Sequence, residues 1–194
     1  MYQDIFHKIY HLHILKPLWN EIGINLEKSF INYKQKDIYG GVNLENEPKQ
    51  NFNTVELFTV LNNVLKQKDV KPYMSYTHSN NGDIKNQYVL IGLNKYYSYK
   101  RTDLYAGLLL GYGELKWKYN PLNNSKDNDF TTTSLIGGLQ LGLKYPITQH
   151  VSVNLNTKFL IHDYKTKFNP NNQAILEIIH DFSSHIGFGL VYKF

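Results

Sequence analysis

From Trp19 onward, apolar and polar residues alternate with a period of two, the pattern of strands whose two faces meet different surroundings. It is clearest in three segments. Over residues 131–145, Leu135, Leu139, Leu141, Leu143 and Tyr145 share one face, and Ser134, Gly138, Gln140, Gly142 and Lys144 share the other. Over 151–164, Val151, Val153, Leu155, Phe159 and Ile161 oppose Ser152, Asn154, Asn156, Lys158 and His162. The last segment, 181–194, sets Phe182, Ile186, Phe188, Leu190, Tyr192 and Phe194 against Asp181, Ser183, His185, Gly187, Gly189 and Lys193. All three exceed the usual strand of about five or six residues. Five further strands are predicted over 22–33, 54–65, 71–79, 86–99 and 104–119. Val55, Leu57, Leu61 and Leu65 also fit a short helix, but an even number of strands brings both chain ends to one side, which favours the strand. Helical spacing is confined to Ile5, Ile9, Leu12 and Lys16, before Pro17 interrupts it.

Eight such strands point to an all-β fold: an eight-stranded antiparallel up-and-down transmembrane β-barrel over 18–194, with 1–17 as a leader or a short amphipathic helix. The connections alternate. Polar stretches at 34–53, 80–85, 120–129 and 169–173 are long, whereas 66–70, 100–103 and 148–150 are short. Long loops on one side and tight turns on the other are the pattern of a barrel set in an outer membrane. Aromatic residues predict two girdles at the membrane interfaces. Tyr96, Tyr97, Tyr99, Tyr105, Tyr145, Tyr192 and Phe194 stand on the turn side, and Tyr33, Trp117, Tyr119, Phe130, Tyr164 and Phe168 on the loop side.

Composition removes other classes. No run of about 18 apolar residues exists, so no helical membrane span is predicted. Aromatics at 14% argue against disorder. Absence of Cys excludes disulfide scaffolds, zinc ribbons and thiol catalysis. The net charge of +5 is mild, and its basic residues are spread among turns and loops, so no nucleic-acid partner is expected. No phosphate-binding glycine loop or zinc spacing occurs, and no cofactor is expected. His7, His11 and His13 include an i, i+4 pair that reads as a surface cluster, without nearby carboxylates to complete a metal site.

The terminal run Gly187-Phe188-Gly189-Leu190-Val191-Tyr192-Lys193-Phe194 resembles the last strand of Gram-negative outer-membrane barrels, which alternates apolar residues and closes on Phe. The run Gly138-Leu139-Gln140-Leu141-Gly142-Leu143-Lys144-Tyr145-Pro146-Ile147-Thr148 is similar to the strand and tight turn of the small OmpA, OmpX and opacity-type barrels. The resemblance implies a bacterial outer-membrane location and a barrel-assembly signal at Phe188, Leu190, Tyr192 and Phe194, with the assembly machinery as a partner. It carries no catalytic motif. Residues 1–18 show no basic region, uninterrupted apolar core and small-residue cleavage site, so the start reads as that of a mature or shortened chain.

An eight-stranded barrel has a lumen that side chains fill, which disfavours an open pore. Glu21, Glu27, Lys144, Lys158, Asp181, His185 and Lys193 are predicted inside as a polar network, with Glu21 and Lys193 meeting where the first and last strands pair. Asp181, Ser183 and His185 share a face at i, i+2 and i+4, and His162 faces them from the neighbouring strand. Acid, hydroxyl and imidazole are the ingredients of a serine hydrolase, so a lipid A-modifying enzyme is one reading. A soluble lipocalin-like ligand-binding barrel, with its apolar faces turned inward, is another. The leading expectation is a monomer with a structural, adhesion or surface-interaction role through its long loops, of which 34–53 is the foremost recognition surface. Lys34, Lys36, Lys116, Lys118, Lys165 and Lys167 form an expected rim for lipopolysaccharide phosphates.

Overall fold

Long alternating strands satisfy their backbone groups without an exposed edge when the sheet closes on itself. The computed structural model describes residues 21–39, 42–46, 49–62, 64–118, 130–171 and 174–194. The segment 1–17, Tyr119 of the expected girdle and the connection 120–129 lie outside the described residues. Nine strands follow one another: β1 (Glu21–Tyr39), β2 (Val42–Asn46), β3 (Lys49–Val60), β4 (Val70–Asn80), β5 (Ile84–Tyr99), β6 (Thr102–Trp117), β7 (Phe130–Pro146), β8 (Val151–Asn171) and β9 (Ala174–Lys193). Consecutive strands from β3 to β9 pair antiparallel, and β1 pairs with both β3 and β9, which closes a ring of eight. Short β2 continues the line of β3 along the upper part of β1, from Gln35↔Asn46 to Tyr39↔Val42.

Connection lengths differ from those expected. Within 34–53 the described residues, 34–39, 42–46 and 49–53, are strand and form the upper part of β1, β2 and β3. At 80–85 the chain turns within 81–83, where the Asn81 side-chain oxygen accepts from the Asp83 and Ile84 amides and Gly82 adopts a φ of +98°. Strand β8 runs to Asn171 and β9 starts at Ala174, so 169–171 of the expected loop is strand as well. The two ends of the barrel differ in how far the strands climb. At roughly 3.3 Å per residue, the 21 residues of β8 span roughly 70 Å, far more than an apolar band of about 25 Å requires.

What the extra length does is visible in the side chains. In the lower two thirds, apolar residues point outward: Ile22, Ile24 and Leu26 on β1, Val89, Ile91 and Leu93 on β5, Leu108 and Leu110 on β6, Leu135, Leu139 and Leu141 on β7. Inward at the same level stand polar residues, with Leu90, Leu109 and Leu160 between them. Above it the polarity inverts. Along β8, the outward residues pass from Leu155, Phe159 and Ile161 to Asp163, Lys165 and Lys167, while the buried ones pass from Asn154, Asn156 and Lys158 to Tyr164 and Phe168. An apolar exterior suits lipid and an apolar interior suits water. The inversion therefore marks where the bilayer ends and an aqueous cap begins.

This placement corrects the expected loop-side girdle. Trp117, Tyr164 and Phe168 are buried inside the cap, joined by half-buried Tyr33 and Phe130. Phe168 lies against Trp117 at 5.3 Å and Phe130 at 4.6 Å between ring centroids. Exposed aromatics at that boundary are Phe30, Tyr76 and Tyr112. On the turn side Tyr97, Tyr99, Tyr145, Tyr192 and Phe194 face outward as expected, but Tyr96 and Tyr105 turn into the lumen. The outward apolar band also overturns the soluble-barrel reading, which requires these faces to line a cavity.

An arginine placed in the band tests this boundary. Leu139→Arg, in mid-band, is expected to cost about 2–4 kcal/mol of unfolding free energy in phospholipid vesicles. Thr133→Arg, six residues up the same outward face and above the inversion, is expected to leave the denaturant midpoint unchanged.

Candidate functional site in the lumen

Two bulges decide which side chains reach the lumen. The β1–β9 register shifts between Asn32 and Tyr33, and the β8–β9 register shifts between Ile161 and Tyr164. Both fall opposite Asp181, the residue left between His180 and Phe182. An extra residue reverses the face of everything beyond it. Below the bulge Ser183, His185, Gly187 and Gly189 point inward; above it His180, Ile178 and Leu176 do. Asp181 itself, expected on the lumen face with Ser183 and His185, is turned out of the lumen and pairs with Lys34 at 3.1 Å on the exterior.

At the turn end of the lumen, Lys144 Nζ lies 2.8 Å from both carboxylate oxygens of Glu21 and 3.8 Å from Asp103. The expected Glu21–Lys193 interaction is replaced by this one. The two residues are register partners, yet Lys193 sits exposed at the last rung, while Lys144 reaches Glu21 across the lumen. Gly142, two residues from Lys144 on β7, leaves room for the ring of Tyr105, whose hydroxyl donates to Asn154 at 3.0 Å.

The centre of the network is Lys158. Its ammonium is 2.6 Å from Glu27 and 2.7 Å from Glu56, and all three side chains are fully enclosed. Surrounding amides and a phenol donate to the carboxylates: Asn156 to Glu27 Oε1 at 2.8 Å, Asn25 to Glu56 at 2.7 Å, and Tyr73 to the other Glu56 oxygen at 2.5 Å, while Glu27 Oε2 has no hydrogen-bond partner among the described residues. Asn154 donates to Asn25 at 3.1 Å, which ties β8 to β1 across the closure. Buried charges persist only when paired and hydrogen-bonded in this way. Glu56 was missed as a member from sequence, although it stands between outward Val55 and Leu57 on β3.

Three of the four acid–base candidates do meet. Ser183 Oγ lies 3.1 Å from His185 Nε2 and 3.2 Å from His162 Nε2, and His185 Nδ1 faces Ser29 at 2.6 Å and Glu27 at 3.5 Å. Their order of donation follows from one fixed point. The carbonyl of His180, 3.0 Å from His162 Nδ1, can only accept. A neutral His162 therefore carries its proton on Nδ1 and accepts a hydrogen bond from the Ser183 hydroxyl on Nε2. His185 then donates its Nε2–H to Ser183 instead of accepting from it. The carboxylate and the base that accepts from the hydroxyl are thus different arms of the cluster, and Ser183 is only 2% exposed. This geometry holds a lumen together better than it activates a nucleophile.

The expected rim lysines lie on the exterior above the band, and three meet carboxylates there: Lys34 with Asp181, Lys165 with Asp163 at 2.8 Å and Lys167 with Glu177 at 3.6 Å. Lys118 donates to the Gly82 carbonyl. Lys36 and Lys116 stand on β1 and β6 among the same polar exterior. Phe188, Leu190, Tyr192 and Phe194 are exposed along the outward face of β9 and just beyond it. Among the described residues, no group of three or more His, Asp or Glu could hold a metal ion.

With ring closure, an apolar exterior and a filled polar lumen established, comparison with solved structures is direct. Neisserial surface protein A matches with a TM-score of 0.60 at 13% identity, over 89% of this chain and 97% of that one. The outer-membrane protein AlkL, determined in lipid bilayers, matches with a TM-score of 0.57 at 13% identity, over 91% of this chain and 90% of that one. The fold is that of the small outer-membrane barrels. No protein-family model and no curated protein sequence matches the chain. At 13% identity the barrel shares architecture with these proteins, and its lumen and cap are read from its own residues.

Proposed function

We propose that this chain is a monomeric, non-conducting barrel of a Gram-negative outer membrane that presents an apolar-cored cap to the aqueous phase for surface interaction. The observation that carries it is the pairing of a sealed lumen with strands built far beyond the membrane. Lys158, Glu27 and Glu56 block the middle of the lumen, and Trp117 and Phe168 close it above. A chain needing only an anchor has no use for 21-residue strands with an apolar core of their own. The cap's exterior of paired Lys, Asp and Glu is the contact surface, for lipopolysaccharide phosphates at its base and for an envelope or host ligand at its tip. Phe188, Leu190, Tyr192 and Phe194 serve the barrel-assembly machinery in this reading.

The test has three parts. Outer-membrane extracts should give an unheated band that migrates differently from the boiled one. The purified barrel in a planar bilayer should show no steady ion conductance. The purified barrel should bind lipopolysaccharide more tightly than a form with β8 and β9 shortened above the inversion. Steady conductance, or equal binding by both forms, overturns the proposal.

A further inference from the structure

The two ends of the barrel treat their cations differently. At the cap, Lys34, Lys165 and Lys167 are met by carboxylates. At the turn end Lys66, Lys68, Lys95, Lys100, Arg101 and Lys193 are all exposed. Among the described residues Asp69 is the carboxylate that stands with them, at 4.0 Å from Lys95. Glu21 and Asp103 add nothing to balance the six, because their two charges face the two ammonium groups of Lys144 and half-buried Lys71. Positive charge is therefore concentrated at one end.

Depth is given by the aromatics. Tyr97, Tyr99, Tyr145 and Tyr192 face outward in a ring where the apolar band stops, the level at which such rings sit between acyl chains and headgroups. Lys100 lies over the Tyr99 ring, 5.3 Å from its centroid. Lys95 shares the outward face of β5 with Leu93 and Tyr97, so its stem runs along the barrel and its ammonium extends toward the interface. In the 61–69 turn, Val64 and Leu65 are exposed beside Lys66 and Lys68. Apolar side chains flanked by ammonium groups are suited to a surface that is oily below and anionic above.

We infer that the turn end is a docking surface for anionic phospholipids, whose phosphodiester headgroups the six exposed cations gather around the aromatic ring. This rests on the membrane-spanning reading above. Attraction of this kind is additive over cations near the headgroups and is screened by salt.

The full chain is refolded into vesicles of phosphatidylcholine and phosphatidylglycerol at about seven to three, excised with its surrounding lipid in polymer discs, and the disc lipid compared with the bulk. Phosphatidylglycerol is expected to be enriched about two- to threefold at about 50 mM NaCl and to return to the bulk ratio at about 500 mM. A variant combining Lys66→Gln, Lys68→Gln, Lys95→Gln, Lys100→Gln, Arg101→Gln and Lys193→Gln should show the bulk ratio at both salts. The salt comparison on the unaltered chain stands even where that variant fails to fold. Enrichment that persists in a folded six-fold variant overturns the inference. So does a bulk ratio at low salt, or enrichment abolished by inorganic phosphate at constant ionic strength, which would mark a free-anion site. Heat-sensitive gel migration in the same samples separates the two failures: an inserted barrel without enrichment defeats this inference alone, and a chain that does not insert defeats the membrane reading as well.

Discussion

Lys158→Met is expected to lower the barrel's unfolding free energy by about 3–5 kcal/mol, the cost of leaving buried charge without its partner. The reason is specific to the site. Lys158 holds Glu27 at 2.6 Å and Glu56 at 2.7 Å, with no part of any of the three side chains open to solvent. Without the ammonium, two carboxylates share an enclosed space, and the Asn and Tyr donors around them cannot neutralise either. Glu27→Gln should cost less, because Lys158 keeps Glu56 and an amide can still accept from Asn156. Combining Lys158→Met with Glu27→Gln and Glu56→Gln should recover most of the loss, since a neutral polar lumen no longer needs a cation. Denaturant titration of the refolded barrel, read by the loss of the fast-migrating folded band, measures all three. A single variant as stable as the parent, or a triple variant worse than the single, would show that the ion cluster does not order this lumen.

The sequence is a good guide wherever the period of two runs unbroken. From Val151 to Phe168 every even-numbered residue of β8 from Asn154 is buried, so Lys158, Asn156 and His162 are placed in the lumen by counting alone. Counting fails at Asp181. A bulge inserts one residue without leaving a mark in the alternation of Phe182, Ser183 and His185, and so the acid candidate lands outside while His180 takes the inner position. Partners across the lumen are equally hidden. Glu21 and Lys193 are opposite each other in register, as chain closure dictates, but the carboxylate goes to Lys144 on β7, which no local pattern connects to β1. Aromatics mislead for another reason: a Trp or Phe serves an interfacial girdle and an aqueous core equally well. Trp117 and Phe168 are separated from true girdle residues by their neighbours on the opposite face. Lys116 and Lys167 face outward beside them, where a lipid-facing aromatic would be flanked by inward polar groups.

That distinction sets up the second large effect. Phe168→Ala removes a fully buried ring from contact with Trp117 and Phe130, which ordinarily costs about 3–5 kcal/mol. Where the cost falls depends on which solvent surrounds β8 at that height. If water does, the ring belongs to a cap held together by its own apolar core, and the cap opens locally while the lipid-embedded ring of strands stays closed. Cleavage by trypsin at Lys165 and Lys167 should then accelerate by about 10²–10³-fold, at roughly 1.4 kcal/mol per decade, for opening that is fast relative to cleavage. The unheated band of uncleaved protein should keep its mobility, and its denaturant midpoint should barely move. If lipid surrounded Phe168, the lysines would be shielded from protease and the loss would register in the whole-barrel midpoint, as it does for Lys158→Met. The two substitutions thus read out two differently built halves of one continuous strand: an ion-paired core under an apolar exterior below Ile161, and an aromatic core under a charged exterior above it.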